Sequence, residues 1–574
     1  MIIKSLRIEL AILAGFFFLT ENVVFAAGPD AGALQQNLQR QIENEQNEVQ
    51  KDFQLKKKDP TPTPPSSNKT LIDIKGFKFS GNTFITEDQA KEITSSFINR
   101  QLTLAQINEA AFAIDDFYKE KGRVAQSVVP PQQIKDGIVE IKILEGKVGK
   151  IVIEPAFPED PPRISSRVVD NFISYHNSKG QLVDLDGLER SLSLLNELPG
   201  IHVEGALEPG QEDGTSNIML TVDELSRVSG RVDLSNYGSA STGIAQAVTS
   251  INFNDLAGIG DAGTIDLIAS EGSIFGQARY YIPGNADGLR VGIGASMLSY
   301  DTLASFSLTN SFGAAYAFGF YSNYALERTS KSNKTINFNL ENRQYYNNTD
   351  GSEVSHYVIN SATLGIQGNQ FIGNGSWLWS ANAVVGTVNI MNPDQANSDQ
   401  SNAKISGPYG KLALYSTLTQ PLPLKSTNLI LSFNGQLATA NLNTSEQLYL
   451  GGPYAVRAYP ISQGGGSQGA IVSAEVSHTY PNNVQMGVFI DAGYIQQYQS
   501  TYPQWQGQTN AGNSYALYAT GLTAKYKYKK KAELSGVVAI ALGDNPLYNQ
   551  SGQQINLDKN HNTVQVWLKG SYYF

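Results

Sequence analysis

The chain has 574 residues, a formal net charge of −10, 53 glycines, 28 tyrosines, 24 phenylalanines and no cysteine. Only 16% of its residues are charged, against about 25% in an average soluble protein. Mean hydropathy is −0.24, too polar for a bundle of membrane helices, while the aromatic content is too high for a disordered chain. The acidic balance argues against a nucleic-acid partner, which calls for a basic face. The missing cysteines exclude disulfides, thiolate metal sites and cysteine nucleophiles.

Residues 1–27 read as a secretory signal peptide, with Lys4 and Arg7 at the positive start and an apolar run from Leu10 to Leu19. Val24, Phe25, Ala26 and Ala27 then offer small residues for cleavage. That run is about half the roughly 20 residues a membrane-spanning helix needs. No other run in the chain comes close. An exported chain of this kind crosses a membrane only as a β-barrel. In the next segment, 28–58, Leu34, Leu38, Ile42, Val49 and Phe53 recur with helical spacing amid Gln, Asn and Glu, which predicts an amphipathic helix over 33–55. A lone helix of this sort must dock against something to be stable. Residues 59–70 are proline-rich and predict an extended, semi-rigid linker.

Residues 71–146 form one compact pattern. A strand over Ile72–Phe79 precedes a capping box, Thr86 with Gln89, that starts a helix. A second box, Thr103 with Gln106, starts another, with Ile107, Ile114 and Phe117 on its apolar face and Gly122 ending it. Strands follow at Val124–Val129 and Ile138–Leu144, giving the order β-α-α-β-β. Residues 147–225 repeat that order, with strands at Val148–Ile153, Ile201–Leu207 and Ile218–Val222 and helices at Ser166–Tyr175 and Leu185–Leu198.

The character then changes. Of the 28 tyrosines, 26 lie after Leu225, as do all four tryptophans. Residues 226–574 are full of segments with period two. Leu429, Leu431, Phe433 and Leu437 share one face of 429–437, and Ile336, Phe338 and Leu340 alternate with Thr335, Asn337, Asn339 and Glu341. The last eleven residues place Val564, Val566, Leu568, Tyr572 and Phe574 on one face and Gln565, Trp567, Lys569, Ser571 and Tyr573 on the other. Strands of this type suit a wall with lipid outside and a polar interior, and the aromatics suit its two interfacial girdles. A soluble β-sandwich also alternates, but it does not ask for this aromatic load. The fold class is therefore soluble α+β modules followed by a transmembrane antiparallel β-barrel.

In these features the chain resembles the outer-membrane transporters of two-partner secretion, the hemolysin-activation and secretion (TpsB; ShlB/FhaC/HecB-type) family. Two polypeptide-transport-associated (POTRA) modules ahead of one barrel match that family in order and size. Pro131, Gln133 and Gly137 leading to Glu145-Gly146, then Leu195–Gly200 and Leu207–Gly210, are similar to its module motifs, and Asn236-Tyr-Gly238 to the entry of its first barrel strand. The most specific match is Val456-Arg457-Ala458-Tyr459 in the glycine-rich stretch 451–469. In the family such a tip lies on the sixth extracellular loop and folds into the lumen, where its arginine pairs with the aspartate of a Phe-x-Asp-x-Gly strand. Here that strand is Phe489, Asp491 and Gly493. Ala458 stands where the family has glycine, a strained choice if the position needs a positive φ. The resemblance implies a barrel of sixteen strands, and about 22 residues per strand and connection accommodate strands of roughly 9–11. It also implies a terminal Phe574 signal for barrel assembly and a 33–55 helix that plugs the pore.

By the same resemblance the chain resides in the Gram-negative outer membrane with its POTRA modules in the periplasm. It would export, and in some members also activate, a large secreted protein with a β-helical N-terminal domain. Its other partners would be outer-membrane lipid and, during biogenesis, the barrel-assembly machinery and periplasmic chaperones. The alternative is an insertase of the same superfamily, which usually carries more POTRA modules. A passive porin or adhesin leaves the modules unexplained. No cofactor, metal or catalytic group is expected: Gly465-Gly-Ser467-Gln-Gly469 fits a nucleophile-elbow pattern and Gly464, Gly466 and Gly469 a dinucleotide pattern, but a strand rather than a helix follows. The five histidines lack metal-ligand spacing.

Overall fold

The computed structural model describes residues 30–51, 71–212, 214–506, 511–529, 531–548, 552, 554, 556–559 and 563–574. The expected signal peptide and proline-rich linker lie outside them. The described residues open with helix α1 (Ala31–Lys51). A first α+β unit follows, with β1 (Leu71–Ile74), β2 (Gly76–Ser80), α2 (Glu87–Ile93), β3 (Arg100–Thr103), α3 (Leu104–Glu120), β4 (Ala125–Val128) and β5 (Ile138–Glu145). The second unit has β6 (Lys147–Pro155), α4 (Ser166–His176), α5 (Leu185–Asn196), β7 (Ile201–Pro209) and β8 (Thr215–Glu224).

Both capping boxes form, each threonine accepting from the amide three residues on while the glutamine reaches back. The strand expected over Ile72–Phe79 divides in two. The amides of Lys75 and Gly76 both donate to the Gly137 carbonyl, at 2.8 and 3.3 Å. They turn the chain so that β1 pairs with β3, while β2 pairs in parallel with β5. Each unit is thus a three-stranded sheet, ordered β2-β5-β4 and β6-β8-β7. One face of the first carries Ile107, Ile114 and Tyr118 of α3 over Val139, Ile141 and Ile143.

The barrel strands run β9 (Val228–Ser235), β10 (Gln246–Asn254), β11 (Ala262–Ser270), β12 (Ser273–Pro283), β13 (Leu289–Asp301), β14 (Ser311–Arg328), β15 (Ser332–Thr349) and β16 (Ser352–Ile372). They continue as β17 (Gly375–Ile390), β18 (Gly407–Pro421) and β19 (Thr427–Ala438), with α6 (Pro393–Ser401) in the connection before β18. The short β20 (Leu448–Tyr449) and β21 (Gly465–Gly466) pair within the next connection. β22 (Gln468–Thr479), β23 (Val484–Gln496), β24 (Ser514–Tyr528), β25 (Ala532–Ala541) and β26 (Val564–Tyr573) complete the wall. Sixteen strands close the barrel, each antiparallel to its neighbours, with β26 returning to β9. Closure leaves no open sheet edge to face lipid.

The alternation assigns the faces. Phe338 and Leu340 of β15, Leu431 and Leu437 of β19 and Leu568 and Tyr572 of β26 are exposed outward, whereas Trp567, Lys569 and Ser571 are buried inward. Strands β14 to β17 have 18, 18, 21 and 16 residues. They exceed the roughly 9–11 needed to cross hydrocarbon, so this part of the wall stands well beyond the apolar band.

The lumen is filled from one end. Helix α1 lies within it, and Ala31, Leu34, Leu38 and Ile42 pack against inward residues of β10 to β19, among them Phe275, Leu298, Tyr300, Tyr345 and Tyr357. At the opposite end the second unit abuts the strand-connecting turns. Arg190 donates to Asp287 Oδ1 at 2.9 Å, Tyr324 Oη donates to Asp287 Oδ2 at 2.6 Å, and Arg163 Nη2 donates to the Asp255 carbonyl at 2.6 Å.

Glu145 is the polar anchor of the first unit. It accepts from the amides of Thr83 and Phe84 at 2.6 and 2.7 Å and from Tyr118 Oη at 2.7 Å. Burial pushes its carboxyl up, but the donors from Thr83, Phe84 and Tyr118 together hold it below the usual 4.5. A depressed folded value means that the stabilisation is present above the usual carboxylate range and fades as pH falls through the folded value. Glu145→Ala leaves these donors unpaired, at a cost of about 1–3 kcal/mol. Hydrogen exchange of the intact protein at Thr83 and Phe84 is expected to accelerate at neutral pH, with wild type and variant converging in acid.

Candidate functional site

The connection between β19 and β22, residues 439–467, folds back into the barrel, and its tip lies against the inner wall. Val456 is fully buried and its amide donates to the Leu450 carbonyl at 2.8 Å. That turn presents Arg457 to β22 and β23. Asp491 Oδ2 accepts from the Arg457 amide and Nε at 3.1 and 3.0 Å, and Asp491 Oδ1 accepts from Nη2 at 2.8 Å. The remaining nitrogen, Nη1, donates to Glu475 Oε2 at 2.8 Å, and Nη2 also donates to Ser473 Oγ at 3.0 Å. The guanidinium carbon lies 3.3 Å from the centre of the Phe489 ring. Asp491 is fully buried.

The glycine of the strand motif serves close approach. A Cβ on Gly493 would stand 2.8 Å from Val456 Cγ2 and 3.0 Å from Leu450 Cδ2, so any larger residue displaces the loop. Ala458 is buried in the same cluster and stays out of the left-handed backbone region. The substitution of alanine for glycine therefore carries no backbone strain. Tyr459 packs in that cluster as well. The tip also reaches the closing strand, because Trp567 Nε1 of β26 donates to the Arg457 carbonyl at 2.7 Å.

The seam between first and last strands is short, with register pairs only from Lys569↔Ser235 to Tyr573↔Arg231. It is extended at both ends. Phe574 exchanges backbone hydrogen bonds with Gly230 at 2.9 and 3.0 Å, and its ring lies where a Gly230 side chain would be. Beyond the other end the Asn236 side chain substitutes for a strand residue. Its Nδ2 donates to the Val566 carbonyl and its Oδ1 accepts from the Leu568 amide, both at 2.8 Å.

Residues 214–519, more than half of the chain, match the family model "Haemolysin secretion/activation protein ShlB/FhaC/HecB", and residues 72–146 match "POTRA domain, ShlB-type". The chain belongs to the ShlB/FhaC/HecB family. It is similar to the heme/hemopexin transporter protein HuxB of Haemophilus influenzae (strain 86-028NP), at 25% identity over 86% of this chain and 88% of the relative. It is also similar to the hemolysin transporter protein HpmB of Proteus mirabilis, at 24% identity over 94% and 93%. The structure of CdiB from Escherichia coli has the same fold, with a TM-score of 0.72 and 19% identity over 96% of this chain and all of that one. The chain is thus an outer-membrane transporter of two-partner secretion, exporting a secreted partner, and not an enzyme.

Three further charged groups of this ShlB-type transporter lie in its lumen, and the sequence reading passed over them. Glu446, just before β20, pairs with Arg343 of β15 at 2.5 Å and Lys411 of β18 at 2.6 Å, the first two buried and the lysine nearly so. Glu45 of α1 pairs with Arg231 of β9, which also contacts Asp233 at 3.0 Å. Asp30 caps α1 through the amides of Gly32 and Ala33 and accepts from Tyr357 Oη at 3.0 Å, Thr444 Oγ1 at 2.7 Å and Asn347 Nδ2 at 2.9 Å. One signal was available in the sequence: Glu45 falls three residues after Ile42 on the apolar stripe of α1, where a charge needs a buried partner. The decoy nucleophile Ser467 is fully buried, its hydroxyl donating to the Gln497 carbonyl and accepting from the Leu442 amide, each at 3.0 Å. Among the described residues no cluster of metal-ligating side chains forms.

The Arg457 cup distinguishes charge from shape. Lysine keeps the charge but cannot occupy both Asp491 oxygens, Glu475 and Ser473 at once. Arg457→Lys and Arg457→Ala are therefore both expected to lower the thermal stability of the folded barrel, read as the gel-shift midpoint. Asp491→Asn removes one of the two carboxylates on Arg457 while Glu475 stays paired with Nη1, and should lose about 1.5–3 kcal/mol. A midpoint unchanged in Arg457→Lys would show that only the charge matters.

Proposed function

We propose that the transporter works as a plugged conduit in which the two α+β units, 71–146 and 147–225, act as POTRA modules that receive an unfolded client. Each three-stranded sheet ends in edge strands whose outer backbone groups can accept an added strand. The client then threads the lumen and folds outside, and folding there makes transit directional without ATP. The partner is a large secreted protein with a β-helical N-terminal domain, and the names of HuxB and HpmB suggest a hemolysin or a heme-acquisition protein as its class. Outer-membrane lipid contacts the apolar band. The barrel-assembly machinery reads the strand ending in Phe574, and periplasmic chaperones deliver the chain.

The observation that carries this reading is helix α1 itself, which occupies the lumen through side-chain contacts and shares no backbone ladder with the wall. Residues 52–70 join it to the first unit, and that length of chain can extend to about 60 Å. The helix can therefore leave the pore while remaining attached. Arg457 holds the inner loop against the wall so that emptying the lumen does not collapse it.

Two measurements test these roles. Arg457→Ala should lower the amount of partner in the medium at least tenfold; full secretion with a normally inserted barrel would sink the loop assignment. Deletion of 30–58 should raise single-channel conductance, and an unchanged trace would remove the plug.

A further inference from the structure

Below α1 the described residues leave part of the lumen open. A cavity of about 730 Å³ is lined by Glu43 of the helix and by Leu194, Glu197 and Leu198 of the second α+β unit. Its wall on β14 to β17 is chemically unusual. Asn323, Asn333, Asn337, Asn339, Asn369 and Asn382 all line it, and among the described residues none of these six side chains makes a hydrogen bond. Charged residues line it too: Glu43 and Arg279, and Arg290, which pairs in register with Asn323 and donates to the Glu197 carbonyl. Glu197 is paired with Arg328 at the floor, and Glu341 accepts from Tyr321 Oη at 3.0 Å near the roof.

The amides are in register. Asn323 pairs across the sheet with Asn337, Asn337 with Gly365 and Gly365 with Asn382, while Asn333 pairs with Asn369 two rungs of side chains below. Gly365 makes the central rung continuous, since a Cβ there would stand 2.1 Å from Asn382 Oδ1 and 2.5 Å from Asn337 Oδ1. Along β15, Asn337 and Asn339 are one two-residue repeat apart, about 6.6 Å. That is also the repeat of an extended polypeptide.

We propose that this amide ladder is the resting-state docking site for an extended, uncharged polypeptide, binding its backbone rather than its side chains. The inference rests on the conduit reading and adds the chemistry by which the conduit holds its cargo. A carboxamide presents both donor and acceptor and so matches either group of a peptide bond. It carries no charge that would trap a passing side chain. A neutral ladder gives many weak, sequence-independent contacts, each of which can be exchanged for the next as the chain advances. Because the cavity lies beneath α1, the cargo reaches it before the helix departs.

The test uses the full-length protein in planar bilayers. A peptide of repeated Ser-Asn-Thr-Gly is added on the POTRA side, with a Ser-Glu-Thr-Gly peptide of equal length as control. The neutral peptide should interrupt the current with a dwell time at least about tenfold longer than the acidic one. In the triple variant Asn323→Leu, Asn337→Leu, Asn382→Leu the neutral dwell should fall about tenfold, and the matching Asn→Gln variant should retain most of it. Gly365→Ala, which parts Asn337 from Asn382, should show an intermediate loss if the barrel is misassembled in the triple variant. Equal dwell times in wild type, Leu variant and Gly365→Ala would overturn the ladder while leaving the conduit standing. Failure of both peptides to interrupt the wild-type current would instead overturn the conduit.

Discussion

The Arg457 guanidinium lies against the Phe489 ring and inside a cup formed by Asp491, Glu475 and Ser473. Only 11% of this side chain is exposed, so withdrawing a partner leaves a largely desolvated charge less well compensated. A connection of 29 residues that would otherwise project from the barrel is instead fastened to β22 and β23. Through Trp567 it is fastened to the closing strand as well. Glu446 fastens the start of the same connection to Arg343 of β15 and Lys411 of β18. The loop is therefore held to the inner wall at both its start and its tip by ion clusters.

Helix α1 occupies the space the loop leaves. Its apolar stripe meets the aromatic upper lumen, where β13, β15 and β16 carry Tyr300, Tyr345 and Tyr357, while β15 and β16 carry amides lower down. Burial of that stripe stabilises the docked helix, while Asp30 near its start and Glu45 towards its end are held by polar contacts with the wall. Polar anchoring of this kind is reversible, because every one of those groups can exchange its partner for water. A helix fixed by a backbone ladder would have no such route.

Much of this was legible from local pattern. The capping boxes at Thr86 and Thr103 start helices because their geometry needs only four residues, and the alternation of Ile336, Phe338 and Leu340 names the outer face of β15 without further information. The Val456–Tyr459 tip and the Phe489–Gly493 strand could be paired by resemblance. What escaped depends on register. Arg343 and Glu446 are 103 positions apart, and nothing local in either marks the other; only the closure of the barrel sets them at 2.5 Å. The split at Lys75 escaped for a related reason, since the carbonyl that turns the chain belongs to Gly137. Concern over Ala458 came from a family glycine, but φ at this site is ordinary, and the close approach falls on Gly493 instead.

The low charge content follows from the same architecture. Outside the barrel a charge would face lipid, and within the conducting part of the lumen it would arrest cargo. Charges are consequently concentrated where they form pairs: at the loop clamps, at the helix ends and at the junction of the second α+β unit with the turns, where Arg190 and Tyr324 converge on Asp287. The stretch between these clusters is left to asparagine, which keeps a wall wet without fixing what touches it. A barrel that must hold its own loop firmly and its cargo loosely separates the two tasks by chemistry, assigning ion pairs to the first and neutral amides to the second.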